Sequence, residues 1–227
     1  MKFFLFLSLL VPALTVLAQE KDPNVMLEFV KNRYQKVNDY KANAEIIVSV
    51  DFIKIPEKYA IVFYKSPDKF RFKSAGFIMV PKKGINFSIL EIINHPYTAV
   101  YDGVTEINGK NDYEIKVIPL DHKSDLVLAT VWIDPLSFFI DKVEANTRRS
   151  GTYLIDFEYD QNSMPLPDEM RITFEVAKLR FPLKFMGNVQ VDEREGQVAD
   201  QATVIIKYSG YQVNTGLKDD IFIENDK

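Results

Sequence analysis

The sequence of 227 residues contains no cysteine, only two histidines and nine glycines. Without cysteine there are no disulfide bonds and no thiolate nucleophile, so a packed core must supply the stability. The histidines, His95 and His122, lie beside turn-forming residues, and neither has a second ligand at zinc-site spacing. The glycines are scattered, so there is no phosphate-binding loop, and no serine lies in a nucleophile motif. We therefore predict a protein that is not an enzyme and that needs no metal and no cofactor.

Positive charge is also scarce, since 28 Lys and Arg residues face 32 Asp and Glu residues, for a formal net charge of −4. Proteins that bind nucleic acid need a basic face to neutralise phosphates. This balance argues against nucleic acid as a partner.

The longest apolar run stands at the N-terminus. Lys2 precedes the run Phe3–Val11, and the small-residue exit Val16-Leu17-Ala18 follows it. This pattern is typical of a secretory signal peptide. The apolar run is too short and wrongly flanked for a membrane span. We expect residues 1–18 to be removed and residues 19–227 to form a single exported domain. No cysteine follows the run for lipid attachment, so we expect that domain to be soluble rather than lipid-anchored.

A helix followed by many strands is the pattern of the remaining chain. Asp22-Pro23 is a good helix start, and Met26, Val30 and Tyr34 form one apolar stripe after it. Strand–turn–strand signals then recur, among them a hairpin at Asn108-Gly109 and a second turn at Asp102-Gly103. We predict a mainly β (α+β) fold of roughly ten antiparallel strands, as one curved sheet or open barrel; a β-sandwich is the alternative.

The predicted strands contain more apolar residues than expected if only one face of each were covered by the core. In the run Ala60–Tyr64 no side is polar, which indicates a strand covered on both faces, or one between a core and an apolar lumen. A curved sheet with one helix leaves a face that can hold an apolar ligand. We predict that the wall of such a cavity contains Ile46, Val48, Val50, Phe52, Phe63, Phe70, Phe72, Ile172 and Phe174. Alternation alone leaves the inward and outward faces interchangeable, because a slip of one residue exchanges them.

A second feature is the segment KLRFPLKFM, residues 178–186, in which basic and apolar residues interleave. It is either another strand interrupted at Pro182 or a loop suited to a membrane surface or a partner. The contact residues of the second interpretation are Arg180, Phe181, Leu183, Lys184 and Phe185.

Several segments together resemble the periplasmic outer-membrane lipoprotein carrier and sorting family, the LolA-like proteins of the LolA/LolB/RseB superfamily. They are FYKSPDKFRF (63–72), VWIDPLSFFIDKVE (131–144), LIDFEYD (154–160), PLPDEMRITFEV (165–176) and YSGYQVNTGLKDDIF (208–222). The resemblance implies an open, incomplete antiparallel β-barrel with an N-terminal helix and short lid helices, and His122–Leu128 is the only mid-chain candidate for a lid. It also implies a monomeric periplasmic carrier whose cavity shelters lipoprotein acyl chains or another lipid between membrane-bound donor and acceptor proteins.

One position departs from that family. Its carriers have an arginine before the proline of the strand turn, whereas this chain has Ser66, preceded by Lys65. The alternatives are a non-enzymatic interaction or envelope-sensor domain with a filled core, and an esterase-like enzyme, which would need a Ser–His pair.

Overall fold

The computed structural model describes residues 21–50, 53–74, 92–160, 164–175, 190–191 and 201–223. The expected signal peptide lies outside these residues, as does the segment with Arg180, Phe181, Leu183, Lys184 and Phe185. No described helix is both long enough and apolar enough to cross a membrane.

One helix, α1 (Pro23–Tyr34), opens the described chain, as the sequence predicts. The side chain of Asp22 accepts a hydrogen bond from the Asn24 amide at 2.8 Å, and Pro23 needs no amide partner in the first turn. Met26, Leu27 and Val30 are buried in the same core cluster as the sheet residues. The helix is therefore held by its apolar stripe against the sheet.

Ten strands of six to thirteen residues and two strands of two residues follow in the described chain. They are β1 (Asp39–Val50), β2 (Ile53–Lys54), β3 (Lys58–Lys65), β4 (Lys69–Ser74), β5 (Tyr97–Ile107), β6 (Lys110–Pro119), β7 (Leu126–Ile133), β8 (Ile140–Thr147), β9 (Gly151–Glu158), β10 (Glu169–Glu175), β11 (Gln190–Val191) and β12 (Gln201–Val213). The candidate lid His122–Leu128 is a turn that runs into β7, so no lid helix forms there.

All twelve described strands belong to one antiparallel sheet, which makes the sandwich alternative wrong. The order is β11-β2-β1-β12-β10-β9-β8-β7-β6-β5, and the β3–β4 hairpin pairs with the first part of β1. No described strand joins β4 to β5, so the described sheet does not close on itself. The predicted open β-barrel-like fold with an N-terminal helix is confirmed.

The two predicted turns of the β5–β6 region have different outcomes. Asn108 and Gly109 both have positive φ, at 50° and 79°, and form the tight hairpin between β5 and β6. Asp102-Gly103 is instead a bulge inside one continuous strand, where Gly103 has φ of 120° and the register shifts between Tyr101 and Gly103. A glycine with positive φ serves a bulge as well as a turn, so the dipeptide alone does not separate them.

The C-terminal segment lies across the β3–β4 hairpin and ends in a 3₁₀ helix, Asp219–Phe222. The ammonium of Lys65 donates to the Leu217 carbonyl at 2.8 Å and pairs with Asp219 at 2.6 Å, and Lys69 pairs with the same carboxylate at 2.9 Å. The guanidinium of Arg71 donates to the carbonyls of Ile221 and Ile223. Three basic side chains of the hairpin thus hold this C-terminal strap, residues 217–223.

We expect the strap to loosen in acid. Hydrogen bonds from Lys65 and Lys69 lower the pKa of Asp219 to about 2, so its contribution is present above the ordinary aspartate pKa and is lost as the pH falls through about 2. Asp219→Asn at neutral pH should mimic this loss and speed amide exchange at Ile221 about two- to fivefold, as fits an exposed ion pair. Asp220→Asn is the matched control, because its exposed carboxylate has no ion pair among the described residues; equal effects would contradict the prediction.

Candidate functional site

One face of the sheet, called the inner face below, carries a continuous apolar surface eight strands wide. Cross-strand partners share a face, so the pairing registers identify the residues of each row. One row consists of Val48, Val204, Ile172, Ile155, Val143, Val131, Ile115 and Tyr101. A neighbouring row consists of Val50, Ala202, Phe174, Tyr153, Ala145, Ala129, Val117 and Ala99.

The opposite, outer face of the same strands is polar where it crosses β10 to β6. Asp156 pairs with Lys142 at 3.5 Å, and the indole of Trp132 donates to Glu114 at 3.2 Å. Because the two faces differ so sharply, the inner face is the part of the sheet that suits an apolar ligand or a core.

Burial along the inner face is uneven. Its centre is covered by protein atoms, since Ile155, Ile172 and Val131 are fully buried. At the two sides of the sheet the inner-face residues are only half-buried, namely Phe70 and Phe72 on β4 and Tyr97, Ala99 and Tyr101 on β5. A ligand that approaches from solvent would therefore meet the sides before the centre.

The structure brings most of the predicted wall residues to this face. Ile46, Val48, Ile172 and Phe174 are buried there, and Val50, Phe70 and Phe72 are half-buried there. Phe63 lies on the outer face instead, because it pairs with Arg71 and Lys41, whereas its neighbour Val62 pairs with Phe72 and Ala42. Phe52 lies outside the described residues.

Next to Phe70 lies a cluster of tyrosines that the sequence did not single out. Tyr40 stacks on Tyr64 at 5.2 Å and meets Tyr211 edge-on at 5.4 Å, and Tyr208 lies 5.9 Å from Tyr211. Tyr64 is also the cross-strand partner of Phe70, whose ring meets Phe72 edge-on at 5.0 Å. Tyr40, Tyr64 and Tyr208 each lie an even number of residues from inner-face residues of the same strand. This alternation was the signal in the sequence that could have identified them. The cluster continues the apolar face with aromatic rings.

The hydroxyl groups of this cluster stay neutral at physiological pH. Burial raises the pKa of Tyr40, of Tyr208 and of Tyr211 well above the usual value. Tyr211 donates its proton to the Pro167 carbonyl at 2.7 Å. The cluster can thus hold an apolar or neutral polar group, and it offers no negative charge.

A groove of about 780 Å³ lies on the outer face of β12, β1, β3 and β4. Its lining includes Asn43, Glu45, Tyr59, Ile61, Lys73, Lys207 and Ser209. Cross-strand pairing joins Asn43 to Ile61 and Glu45 to Tyr59, and the Tyr59 hydroxyl donates to Glu45 at 3.1 Å. Charged side chains of both signs, Glu45, Lys73 and Lys207, line this groove beside apolar ones such as Ile61, so its lining is more mixed than the inner face.

The described residues hold no cluster of three or more histidine and acidic side chains placed to bind a metal ion. His95 and His122 are both exposed, in two separate turns.

Structural comparison places this architecture among known folds. A DUF1329 family protein from Desulfovibrio piger is similar at a TM-score of 0.54 and 12% identity, over 89% of this chain and 98% of that one. A LolA superfamily protein from Nitrosomonas europaea has a TM-score of 0.53 and 10% identity, over 88% and 97%. A putative outer membrane lipoprotein-sorting protein domain from Vibrio parahaemolyticus has a TM-score of 0.51 and 16% identity, over 86% and 95%.

No family profile and no curated protein sequence matches the chain. The solved structures therefore define the class of fold, which is LolA-like. At 10% to 16% identity the similarity concerns the fold alone.

Proposed function

We propose that this chain is a non-enzymatic, periplasmic carrier that binds the acyl chains of a lipoprotein or another lipid on the inner face of its sheet. The observation that carries the proposal is the apolar inner face, eight strands wide, whose aromatic side at Phe70 and Phe72 stays accessible. In this proposal residues 19–227 form one monomeric domain after export, and cargo passes between membrane-bound donor and acceptor proteins.

The proposed entry point is the inner face of the β3–β4 hairpin. Phe70 and Phe72 are half-buried, and the tyrosine cluster (Tyr40, Tyr64, Tyr208 and Tyr211) extends the aromatic surface from them. Burial of hydrocarbon stabilises a complex by about 0.8 kcal/mol per CH₂, so an acyl chain that contacts both rings gains enough to stay bound without covalent chemistry. Release to a partner then requires only a somewhat better site on that partner.

The experiment is uptake of a fluorescent fatty acid by delipidated protein. Phe72→Asp places a charge on the inner face and should weaken binding about tenfold, which corresponds to the loss of contact with about two CH₂ groups. Phe63→Asp is the matched control, because it puts the same charge on the outer face beside Arg71 and should leave uptake unchanged. Thermal melting checks that both variants are folded. If wild-type protein takes up no fatty acid, or both variants behave alike, the proposal fails.

One observation favours a second function, an interaction or envelope-sensor domain with a filled core. The central inner-face residues, such as Ile155 and Ile172, are fully buried by the protein itself. Native mass spectrometry separates the two functions, since a carrier retains co-purifying lipid and a filled domain retains none.

A further inference from the structure

We propose that the buried carboxyl groups of Asp112 and Asp141 form a proton-dependent latch. One proton shared between them keeps α1 seated on the sheet, and loss of that proton releases the helix. The latch is independent of what the inner face binds.

The two carboxyl groups are buried together near the β7–β8 turn. Asp112, on β6, is fully buried, and neither of its carboxyl oxygens accepts a hydrogen bond from the protein. Asp141 is also buried and is the extra residue of a bulge, because Ile133 pairs with Ile140 and Trp132 pairs with Lys142. Lys110 lies two residues before Asp112 on the same face of β6, and its ammonium pairs with the Asp141 carboxylate at 3.1 Å, which places Asp141 beside Asp112. Two buried carboxylates repel, and Asp112 has no donor in the protein, so a proton shared with Asp141 both removes the repulsion and satisfies Asp112.

The charged groups around the pair leave it short of positive charge. Lys110 on β6 pairs with Asp141 at 3.1 Å, and Asp134 at the end of β7 adds a further negative charge. The Asp134 carboxylate is engaged by the Leu136 amide at 2.7 Å. One ammonium thus faces three carboxyl groups. Burial and the charge on Asp141 together raise the pKa of Asp112 to about 7.

A chain of hydrogen bonds connects the pair to α1. The hydroxyl of Tyr34, the last residue of α1, accepts the Ile140 amide at 3.3 Å and lies 3.1 Å from the Tyr159 hydroxyl. Tyr159 in turn donates to the Ile140 carbonyl at 2.8 Å. Since Asp141 directly follows Ile140, repulsion that shifts the bulge breaks the contacts that hold Tyr34. Burial raises the pKa of Tyr34 to about 12, so this hydroxyl does not titrate in the same range.

The direction of the pH effect follows from the raised pKa. The closed state, with α1 seated on the sheet, binds the proton more tightly than the open state, in which the aspartate has its ordinary pKa. The closed state is therefore favoured at low pH, and its advantage over the open state declines as the pH rises to about 7. Between pH 5.5 and pH 8.5, one proton with a closed-state pKa near 7 should lower the protection of the α1 amides about 30-fold.

The test is hydrogen exchange of the α1 amides in the full chain, corrected for the intrinsic pH dependence of exchange. Asp112→Asn carries no titrating proton and should change less than threefold over this range. Asp156→Asn removes a partly exposed carboxylate of the neighbouring β9 and should keep the full wild-type response. Carbon-13 titration of the aspartate carboxyls in wild-type protein is a second measurement, which needs no variant to fold.

One result supports the latch and three overturn it. A wild-type response near 30-fold that Asp112→Asn abolishes, together with one aspartate titrating near pH 7, supports it. A wild-type change below threefold overturns it, as does an Asp112→Asn variant that keeps the full response. An aspartate spectrum with no titration above pH 5 overturns it without any variant.

Discussion

Replacing Ile206 by aspartate is expected to unfold the protein or to cost more than about 4 kcal/mol of its stability. Ile206 is fully buried on the inner face, between Ile46 on β1 and Met170 on β10. A carboxylate there would lose its water and gain neither a donor nor a cation, which is among the most destabilising changes that one residue can make. Urea denaturation followed by circular dichroism measures the effect.

The matched control is Ile205→Asp, one residue earlier on the same strand. Ile205 points to the outer face, where its cross-strand partner is Arg171, so the new carboxylate meets water and a guanidinium. We expect a cost of about 1 kcal/mol from the lost half-buried side chain. If the two variants were equally unstable, the register of β12 and the assignment of both faces would be wrong.

Elements of the fold could be predicted from short sequence motifs wherever a motif is compatible with only one backbone geometry. Asp22-Pro23 marks the start of α1, and Asn108-Gly109 marks a hairpin, because two successive residues with positive φ suit few other geometries. Asp102-Gly103 is a similar dipeptide, but it forms a bulge within one long strand. A bulge, like a turn, can require the positive φ that Gly103 adopts. Only the pairing of Tyr101 with Ile115 and of Gly103 with Glu114 distinguishes the two.

The face on which a residue lies was predictable on strands that alternate and unpredictable on strands that do not. Ile172 and Phe174 alternate with polar residues, so their shared face was evident from the sequence. In β3 the unbroken run Ala60–Tyr64 has no polar side. Phe63 was therefore predicted to lie in the cavity wall, although it lies on the outer face. In the folded sheet Val62 lies on the inner face and Phe63 on the outer face of the same strand.

The long-range polar contacts could not be read from the sequence at all. Asp112 looks like any acidic residue after a hairpin, yet it is fully buried, and burial and the charge of Asp141 on β8 raise its pKa. Asp39 is simply the first residue of β1, yet its carboxylate binds a segment about 176 residues later. Such partners are set by the whole topology, because β1 and β12 are neighbours only in the folded sheet.

Asp39→Ala is expected to cost about 3 kcal/mol of stability, through loss of the contact that fixes the chain after β12. The buried Asp39 carboxylate accepts hydrogen bonds from the Thr215 amide at 2.9 Å and from the Gly216 amide at 3.0 Å. Asn214 adds to this turn, since its amide donates to the Asp39 carbonyl at 2.8 Å and its side chain accepts from the Asn38 amide at 2.7 Å. Alanine leaves two partly buried amides without an acceptor, and hydrogen bonds to a charged group contribute about 1.5–3 kcal/mol each.

The urea midpoint and the thermal midpoint measure this loss, and for a domain of this size it corresponds to a fall of roughly 6–12 °C in Tm. Asp39→Asn keeps the shape and one acceptor oxygen, so it should lose about half as much. Asp156→Ala removes an aspartate whose carboxylate lies partly exposed, 3.5 Å from Lys142, and should stay within about 0.5 kcal/mol of wild type. Because the strap leaves this turn toward Lys65, Asp39→Ala should also speed amide exchange at Ile221, whereas Asp156→Ala should not. An Asp39→Ala variant within 1 kcal/mol of wild type, with the strap still protected, would show that the carboxylate is not what holds the turn after β12 to the start of β1.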